Sequence, residues 1–243
     1  MSLKFDSSKK IRKEKTKHKV ESWVEYEERE DAFLKERLQN KEPTITAQVR
    51  ITGGKAKNFK IDIPRTTRPL TDRMKVRIFD ILREDIFKKE VLDLYAGAGS
   101  FGLEALSRGA KEATFVDASK QADLVLKANV AHTGYLPEST IVKSKVEEYL
   151  PKAIKAGKSF DIIFMDPPYK LYNTKRVHKM EEVINNASLL LPGVVNPNTK
   201  RFKGCLIIKH PRRYPIDKLA LSNIKKVETY EFGLNSISFF IVK

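Results

Sequence analysis

The distribution of apolar residues changes along the chain, and from residue 90 onward it repeats. Short apolar runs flanked by turn residues alternate there with longer segments whose apolar residues recur at helical spacing. Runs of the first kind are typical of buried parallel strands, and segments of the second kind are typical of crossover helices. We predict strands at residues 91–95, 113–117, 139–143, 160–166, 204–209, 226–231 and 236–242, and helices at about 100–108, 119–132, 146–156 and 175–191.

The order of these elements predicts a doubly wound, mostly parallel sheet with right-handed crossovers. Only residues 232–235 separate the last two strands, so these strands are expected to form an antiparallel hairpin at one edge. Seven strands that end in such a hairpin resemble the sheet of class I S-adenosylmethionine-dependent methyltransferases. We therefore predict an α/β, Rossmann-like fold of that class, although architecture by itself does not establish an activity.

The first 43 residues do not show this alternation. Residues 1–19 are polar and basic without an apolar period, so we expect no packed structure in them. Residues 20–40 carry many acidic side chains and a partial apolar stripe that includes Trp23 and Phe33. This pattern predicts an amphipathic helix that docks on this chain or on a partner, and Pro43 marks its boundary.

A small β-hairpin followed by a helix is predicted between this segment and the sheet. We expect strands at 48–52 and 59–63, a glycine turn at 53–58, and a helix from Thr71 or Asp72 to about Arg83, with Arg73, Lys75 and Arg77 on its solvent face.

The formal net charge of +16 favours an anionic partner. Residues 44–90 carry 12 basic and 6 acidic side chains, so this short segment is especially basic. Cations in and beside extended glycine turns suit contacts with phosphate groups. The candidates for nucleic-acid binding are Arg50, Lys55, Lys57, Arg68 and Arg73.

Composition excludes several other classes of protein. The single cysteine, Cys205, excludes an intramolecular disulfide framework and suits a reducing compartment, so we expect a cytoplasmic protein. The four histidines are scattered without metal-ligand spacing, and no metal is expected. No apolar stretch has the length of a membrane span and the N-terminus has no apolar signal region, so no membrane partner is expected.

The most informative chemistry follows the apolar run that ends at Met165. Asp166 falls at the carboxyl end of a predicted strand, where open α/β sheets bind their ligands. Pro167 and Pro168 cannot continue the ladder, and they fix an extended turn that leaves the Pro167 carbonyl without a backbone partner. The carboxylate and that carbonyl can accept both hydrogens of an exocyclic amino group, while Tyr169 stacks on the base.

A glycine loop joins the first strand of the sheet to its helix. Gly97, Gly99 and Gly102 match the pattern G-x-G-x-x-G, which by itself most often indicates a dinucleotide. Asp117 ends the second strand, where it can accept both ribose hydroxyls. A nicotinamide cofactor fits Asp117 but leaves Asp93 and the Asp-Pro-Pro-Tyr turn without a role, whereas the amino group of S-adenosylmethionine fits Asp93. Together, the candidates for cofactor binding are Asp93, Tyr95, Ala96, Gly97, Gly99, Asp117 and Ala118.

Several longer runs resemble the RsmD family of bacterial methyltransferases, which act on guanine N2 in 16S ribosomal RNA. They lie in order between about residues 48 and 243: Arg50-Ile-Thr-Gly-Gly-Lys55, Arg68-Pro-Leu-Thr-Asp-Arg73, Leu92-Asp-Leu-Tyr-Ala-Gly-Ala-Gly99, Gly102-Leu-Glu-Ala-Leu-Ser-Arg-Gly-Ala110 and Asp166-Pro-Pro-Tyr169.

The resemblance implies a monomeric enzyme that methylates RNA of an assembled or partly assembled small ribosomal subunit. The predicted units are then residues 1–43, a tail and acidic helix; 44–89, an RNA-binding extension; and 90–243, the methyltransferase domain. Residues 1–43 have no counterpart in the family pattern. The family usually has an acidic residue after the third strand, near the adenine, where this chain has Ser144-Lys145; Glu147 substitutes only if the loop shifts.

Two other functions agree with the same residues. An N6-adenine methyltransferase of DNA or RNA uses the same acceptor turn for a different amino group, and only the N-terminal runs argue against it. A non-catalytic RNA-binding assembly protein could retain the fold, but the intact Asp166 and glycine loop argue against that loss of activity.

Overall fold

The structure is a computed structural model that describes residues 45–65, 67, 70–172, 177–192 and 204–243. The predicted basic tail and acidic helix lie outside these residues. The described chain begins with an antiparallel hairpin of β1 (Ile45–Arg50) and β2 (Lys60–Pro64). The predicted hairpin is therefore confirmed.

Seven further strands form one sheet that is parallel through its centre and antiparallel at one edge. They are β3 (Glu90–Leu94), β4 (Glu112–Asp117), β5 (Ser139–Lys143), β6 (Ile162–Met165), β7 (Cys205–Pro211), β8 (Ile224–Phe232) and β9 (Asn235–Val242). Their order across the sheet is β5-β4-β3-β6-β7-β9-β8. The first five pair in parallel, and β9 runs antiparallel to β7 and β8. The predicted class of fold is confirmed.

Five α-helices in the described residues cover the two faces of this sheet. They are α1 (Asp72–Leu82), α2 (Ser100–Ser107), α3 (Lys120–Thr133), α4 (Val146–Lys155) and α5 (Val177–Ser188). Phe79 of α1 and Phe101 of α2 belong to one hydrophobic core, and Leu150 of α4 and Ile184 of α5 belong to the other. None of the described helices has the length and apolar character needed to cross a membrane.

The predicted boundaries differ from the observed ones by a few residues. Tyr95 was expected to end the first strand of the sheet, but β3 ends at Leu94 and Tyr95 has a φ of 59°. Likewise, β6 ends at Met165, so Asp166 lies just beyond the strand. Both strands end one residue earlier than predicted because the chain turns sharply at the carboxyl edge of the sheet, where the candidate site residues lie.

Glu104 of α2 joins the hairpin to the sheet. Its side chain is fully buried, and it accepts hydrogen bonds from the amide and the hydroxyl of Thr52, each at 2.7 Å. Arg108 Nε donates to the same carboxylate at 2.9 Å, and Lys75 Nζ lies 3.6 Å from it. A buried carboxylate requires such partners, so this network holds the end of β1 against α2.

Lys75 corrects one prediction for α1. It was expected on the solvent face with Arg73 and Arg77, but it is fully buried while both arginines are exposed. Two residues along a helix correspond to a rotation of about 200°, so Lys75 points away from Arg73 and Arg77. Its ammonium donates to the carbonyl of Arg50 and completes the Glu104 network.

The glycine turn at residues 53–58 has a structural role of its own. A Cβ atom on Gly54 would lie 1.9 Å from the carbonyl oxygen of Ser107, and the φ of Gly54 is 77°. The amide of Lys55 donates to that same carbonyl at 2.7 Å. The turn therefore docks on the last turn of α2, and the glycine is required by close packing whether or not the turn contacts a phosphate.

Candidate active site

Four charged side chains meet at the carboxyl edge of the sheet. Each of them lies two residues after an apolar residue of the core that packs under α1 and α2. The four residues are Asp93, Asp117, Asp166 and Lys209. Because side chains along a strand alternate between faces, all four lie on the face that α1 and α2 cover. The pairing of Met165 with Ile208 puts Asp166 and Lys209 at the same level of neighbouring strands.

The glycine loop is held in place by Asp117. Gly97 and Gly99 have φ values of 54° and 80°, which favour glycine. Asp117 Oδ2 accepts from the amide of Gly97 at 2.8 Å, and Oδ1 accepts from the amide of Ser119 at 2.8 Å. Both carboxylate oxygens keep further acceptor capacity, so Asp117 can orient the loop and still accept from a ligand hydroxyl. This agrees with its predicted position, while its contact with ribose stays a prediction.

Asp93 lies deeper than the sequence suggested. It is 2% exposed, and its Oδ2 accepts from the amide of Gly102 near the start of α2 at 3.0 Å. Gly102 itself packs on Phe115, since a Cβ there would lie 2.2 Å from Cε1 of that ring. The carboxylate therefore positions α2, which follows the glycine loop directly.

Burial makes Asp93 and Asp117 harder to ionise. Burial raises the pKa of Asp93 well above its usual value; the amide of Gly102 opposes this, and the charges of Asp166 and Asp117 add to it. Burial also raises the pKa of Asp117, against the opposing effect of the amides of Ser119, Gly97 and Ala118. Such an edge attracts cationic groups and repels anionic ones.

The surroundings of two polar groups beside the loop were not predicted from the sequence. Ser100 Oγ, at the first residue of α2, is buried and has no hydrogen-bond partner in the described part of the chain. Tyr95 Oη donates to Glu147 Oε1 at 3.2 Å, and burial together with Glu147 raises the pKa of Tyr95. Glu147 is thus positioned by Tyr95, and whether it contacts an adenine stays a prediction.

The Asp-Pro-Pro-Tyr turn is tied to the antiparallel edge of the sheet. Lys209 Nζ donates to Asp166 Oδ2 at 2.6 Å, and Tyr169 Oη donates to Oδ1 of Asn235 at the start of β9. Pro167 is buried, and its carbonyl receives no hydrogen bond from the described residues. Among the described residues these contacts leave Asp166 Oδ1 and the Pro167 carbonyl available as acceptors, and their binding of a target amino group stays a prediction.

Lys209 is the main residue of the site that sequence analysis missed. It is 5% exposed, and its own carbonyl accepts from the hydroxyl of the buried Tyr172 at 2.6 Å. Because Tyr172 lies three residues after Tyr169, in the short 3-10 helix that follows the turn, it holds the lysine's backbone beside Asp166. A lysine in an apolar strand run was the available signal, but its partner could be found only from the strand order.

The candidate nucleic-acid residues do not form one cluster of free cations. Lys55 and Lys57 are exposed on the glycine turn. Arg50 is exposed but forms an ion pair with Asp72 at 2.8 Å, and Arg73 lies 5.9 Å from the ring centre of Phe232. Arg68 lies outside the described residues. Among the described residues, no three His, Cys, Asp or Glu side chains lie close enough together to hold a metal ion.

Comparison with known proteins identifies relatives of this chain. A family model described as Conserved hypothetical protein 95 matches residues 49–240. Ribosomal RNA small subunit methyltransferase D of Escherichia coli (strain K12) is 34% identical over 142 residues, which cover 58% of this chain and 67% of that protein. The protein YlbH of Bacillus subtilis (strain 168) is 35% identical over 116 residues, which cover 48% of this chain and 63% of YlbH.

A solved structure agrees with these matches. The Escherichia coli protein yhhF superimposes with a TM-score of 0.66 at 25% identity, over 81% of this chain and 99% of that chain. The superposition supports the fold, and the matches in sequence support the predicted family. Because the family model spans most of the chain and the Escherichia coli relative is covered over two thirds of its length, the chain belongs to the RsmD family of methyltransferases.

Proposed function

We propose that this protein transfers a methyl group from S-adenosylmethionine to the exocyclic N2 amino group of a guanine in small-subunit (16S) ribosomal RNA. The observation that carries the proposal is the position of Asp166 beside the glycine loop. β3 and β6 are neighbours, so the acceptor turn and the loop open at one edge of the sheet. An amino-group acceptor and a cofactor loop in that arrangement suit methyl transfer to a base.

The residues present fit S-adenosylmethionine better than a dinucleotide. The three carboxylates Asp93, Asp117 and Asp166 interact electrostatically, and a cofactor with an ammonium and a sulfonium group relieves their mutual repulsion. The pyrophosphate of a dinucleotide would increase it. The unpartnered hydroxyl of Ser100 also suits a polar ligand group, since a buried hydroxyl without a partner costs about 1–3 kcal/mol.

In this proposal each group has a distinct task. Asp93 accepts from the amino group of the cofactor, Asp117 accepts from its ribose hydroxyls, and the loop of Gly97 and Gly99 allows close approach of the backbone. Tyr95, Ala96 and Ala118 line the same position. When bound, S-adenosylmethionine supplies an electrophilic methyl group. The protein contributes mainly by positioning, which can be worth about 7–11 kcal/mol of a barrier.

The target amino group is held by the Asp-Pro-Pro-Tyr turn. Asp166 Oδ1 and the Pro167 carbonyl accept the two N2 hydrogens, while Pro168 keeps the turn rigid and Tyr169 stacks on the flipped base. With both hydrogens directed at acceptors, the lone pair of N2 faces the cofactor. Methyl transfer would form the new C–N bond while the bond between the methyl carbon and the cofactor sulfur breaks, which leaves S-adenosylhomocysteine. N2 would lose one proton, and the carboxylate of Asp166 is the more basic of the two acceptors that hold its hydrogens.

The choice of RNA rests on the relatives. The Escherichia coli relative is named for the small ribosomal subunit. In this chain the exposed Lys55 and Lys57, together with Arg50, Arg68 and Arg73, supply cations for the phosphates of the RNA. We further propose that the protein is a cytoplasmic monomer that requires no metal ion. Residues 44–89 then form the RNA-binding extension and residues 90–243 the catalytic domain.

The test is methyl transfer from labelled S-adenosylmethionine to purified small ribosomal subunits and to naked 16S RNA, followed by nucleoside analysis. The proposal requires N2-methylguanosine in at least one of the two reactions. N6-methyladenosine would establish the adenine alternative. Binding of RNA without any transfer of label would establish the non-catalytic alternative.

A further inference from the structure

A cleft lies between α1 and the end of the β8–β9 hairpin, outside the acceptor turn and the glycine loop. Its volume is about 340 Å³, and Arg73, Val76, Arg77, Tyr230 and Phe232 line it. Val76 is 41% exposed although it is a large apolar residue. The cleft therefore combines an apolar surface with two guanidinium groups.

Two arginine–aromatic pairs form the walls of this cleft. The guanidinium carbon of Arg77 lies 4.1 Å from the ring centre of Tyr230, and that of Arg73 lies 5.9 Å from the ring centre of Phe232. Four residues of a helix rise about 6 Å, and two residues of a strand rise about 6.7 Å. The spacing of the arginines on α1 therefore matches the spacing of the rings on β8.

The pair of Arg77 with Tyr230 presents a flat, cationic surface. A guanidinium group is planar, so when one of its faces lies on the ring, the opposite face remains able to stack on a second flat group. The edge-on contact between Tyr230 and Phe239, at 5.9 Å and 89°, fixes the orientation of the ring. A nucleobase is a flat group that stacks on arginine and aromatic surfaces of this kind.

The cleft carries acidic as well as basic side chains. Glu231 is paired with Arg212 at 2.7 Å, outside the stack. Asp80 remains as an exposed acid one turn beyond Val76. Glu228 bonds to the hydroxyl of Tyr230, so the three arginines are matched in number by Asp80, Glu228 and Glu231. The planar guanidinium groups of Arg73 and Arg77, and not an excess of charge, therefore make the cleft suit a nucleobase.

The cleft is connected to the candidate active site by a short series of contacts. Tyr169 of the acceptor turn donates to Asn235, and Asn235 pairs with Phe232 across the β8–β9 turn. Phe232 in turn faces Arg73. The cleft therefore lies beside the acceptor turn along this edge of the sheet, on the side of Tyr169.

We propose that this cleft binds a base of the single-stranded RNA that flanks the target nucleotide. The base stacks on the Arg77–Tyr230 surface, and Arg73 contacts the adjacent phosphate. This inference rests on the proposed function for the identity of the RNA, but the cleft itself can be tested without methyl transfer. It gives the hairpin at the edge of the sheet a role in substrate binding that the N-terminal extension does not supply.

The test measures binding of a short fluorescent oligo(A) and of a matched oligonucleotide with abasic sites, by fluorescence anisotropy. The wild-type protein is expected to bind oligo(A) about tenfold or more tightly than the abasic strand, because stacking of one base has that magnitude. Tyr230→Leu and Arg77→Lys should remove most of the difference; Arg77→Lys keeps the charge and removes the planar group.

Lys155→Ala is the matched control, since it removes one exposed cation from α4 on the opposite face of the sheet. It should leave the preference for oligo(A) intact. Circular dichroism and the affinity for S-adenosylmethionine should be unchanged in Tyr230→Leu, so that a loss of binding is not a loss of fold. Equal binding of the two strands by the wild type, or an unchanged preference in both cleft variants, would overturn the proposal.

The outcomes also separate this inference from the proposed function. If small subunits are methylated normally by Tyr230→Leu and Arg77→Lys and their preference for oligo(A) equals that of the wild type, the cleft fails while the function stands. If no subunit is methylated but the preference for oligo(A) depends on Tyr230 and Arg77, the cleft stands and the proposed methyl transfer fails.

Discussion

The ammonium of Lys209 in β7 lies 2.6 Å from Oδ2 of Asp166, which directly follows the neighbouring strand β6, and the two residues lie at the same level of the sheet. The lysine side chain is almost fully buried, while the aspartate side chain is 22% exposed. The pair therefore fixes one oxygen of the aspartate and leaves its side chain partly exposed. In the proposed function, Lys209 is a positioning residue, because it acts through Asp166 and not on the base directly.

Lys209→Met should reduce turnover by about tenfold or more, because Asp166 loses the partner that fixes its orientation. The affinity for S-adenosylmethionine should stay the same or increase, since a cation is removed from an edge that binds a cationic cofactor. Single-turnover rates and calorimetric titration of the same preparations measure the two effects separately.

The matched control is Lys209→Arg, which keeps the charge beside Asp166 and should recover part of the rate. A purely structural role for Lys209 would show a loss of thermal stability in Lys209→Met with no change in the rate of the folded fraction. That result would contradict its assignment as a positioning residue.

Asp166→Ala should reduce turnover by on the order of 10²-fold or more, while S-adenosylmethionine still binds. The reason is that Asp166 contacts the target amino group, whereas Asp93 and Asp117 contact the cofactor. Labelled methyl transfer and cofactor titration are compared in one variant, with Asp161→Ala as the control, because that aspartate precedes β6 and pairs with Lys89. Near-normal turnover in Asp166→Ala would remove it from the catalytic residues.

Asp93→Asn separates cofactor binding from stability. Asparagine retains an acceptor for the Gly102 amide, so the fold should persist, but the loss of the charge should weaken S-adenosylmethionine binding by about 1.5–3 kcal/mol. In the wild type, affinity should rise as pH increases through the raised pKa of Asp93, because only the ionised carboxylate attracts the cofactor's amino group. That dependence should be weaker in the variant.

The stability of the cofactor-free protein should change with pH in the opposite direction. A carboxyl group whose folded-state pKa lies above its unfolded value binds more protons in the folded state, so its ionisation lowers stability as pH rises through that interval. Asp93→Asn removes this contribution and should flatten the decline. Denaturant unfolding at several pH values measures it, and an equally steep decline in the variant would assign the effect to Asp117 or other groups.

Glu104→Ala should destabilise the protein by about 3–5 kcal/mol, because it leaves the buried Lys75 and the amide of Thr52 without their partner. Glu112→Ala is the control at an exposed glutamate and should change stability by less than about 0.5 kcal/mol. Urea denaturation compares the two. Similar midpoints would mean that the network does not hold the hairpin on α2.

The sequence allowed the chemistry of single strands to be predicted, but not the contacts between distant ones. Asp166 could be found because its carboxylate, two prolines and a tyrosine follow an apolar run directly. Lys209 is 43 residues away from it, and their proximity depends on the order and register of β6 and β7. Neither quantity can be read from a local pattern.

The same limit explains the corrections at the N-terminal hairpin. Gly53 and Gly54 were correctly predicted to form a turn, but the turn's closest contact is Ser107, which no local pattern connects to it. Lys75 was placed with its neighbouring cations because charge is usually exposed, whereas Glu104 supplies a buried partner from another helix. Two of the runs that resemble the family, Arg50 to Lys55 and Gly102 to Ala110, therefore contact each other. This contact gives a structural reason for the particular residues found in both runs.

The exposed lysines of the glycine turn provide the last prediction, which concerns RNA. Lys55 and Lys57 lie on the solvent side of a turn that Gly54 and Ser107 hold rigidly, so their charges have defined positions. In the proposed function they contact phosphates, and each such contact releases a counterion. Lys55→Ala with Lys57→Ala should therefore reduce the slope of log affinity against log salt by about one unit per lost contact.

The affinity for S-adenosylmethionine should not change in this double variant, because the glycine turn docks on the end of α2 and not on the cofactor loop. The charge-matched control is Lys152→Ala with Lys155→Ala, which removes two exposed cations from α4 on the opposite face. Filter binding of small subunits at several salt concentrations gives the slopes. If both double variants reduce the slope equally, the glycine turn is not a specific part of the surface that binds RNA. Arg73 and Arg77, beside Phe232 and Tyr230, would then be the cations better placed to form that surface.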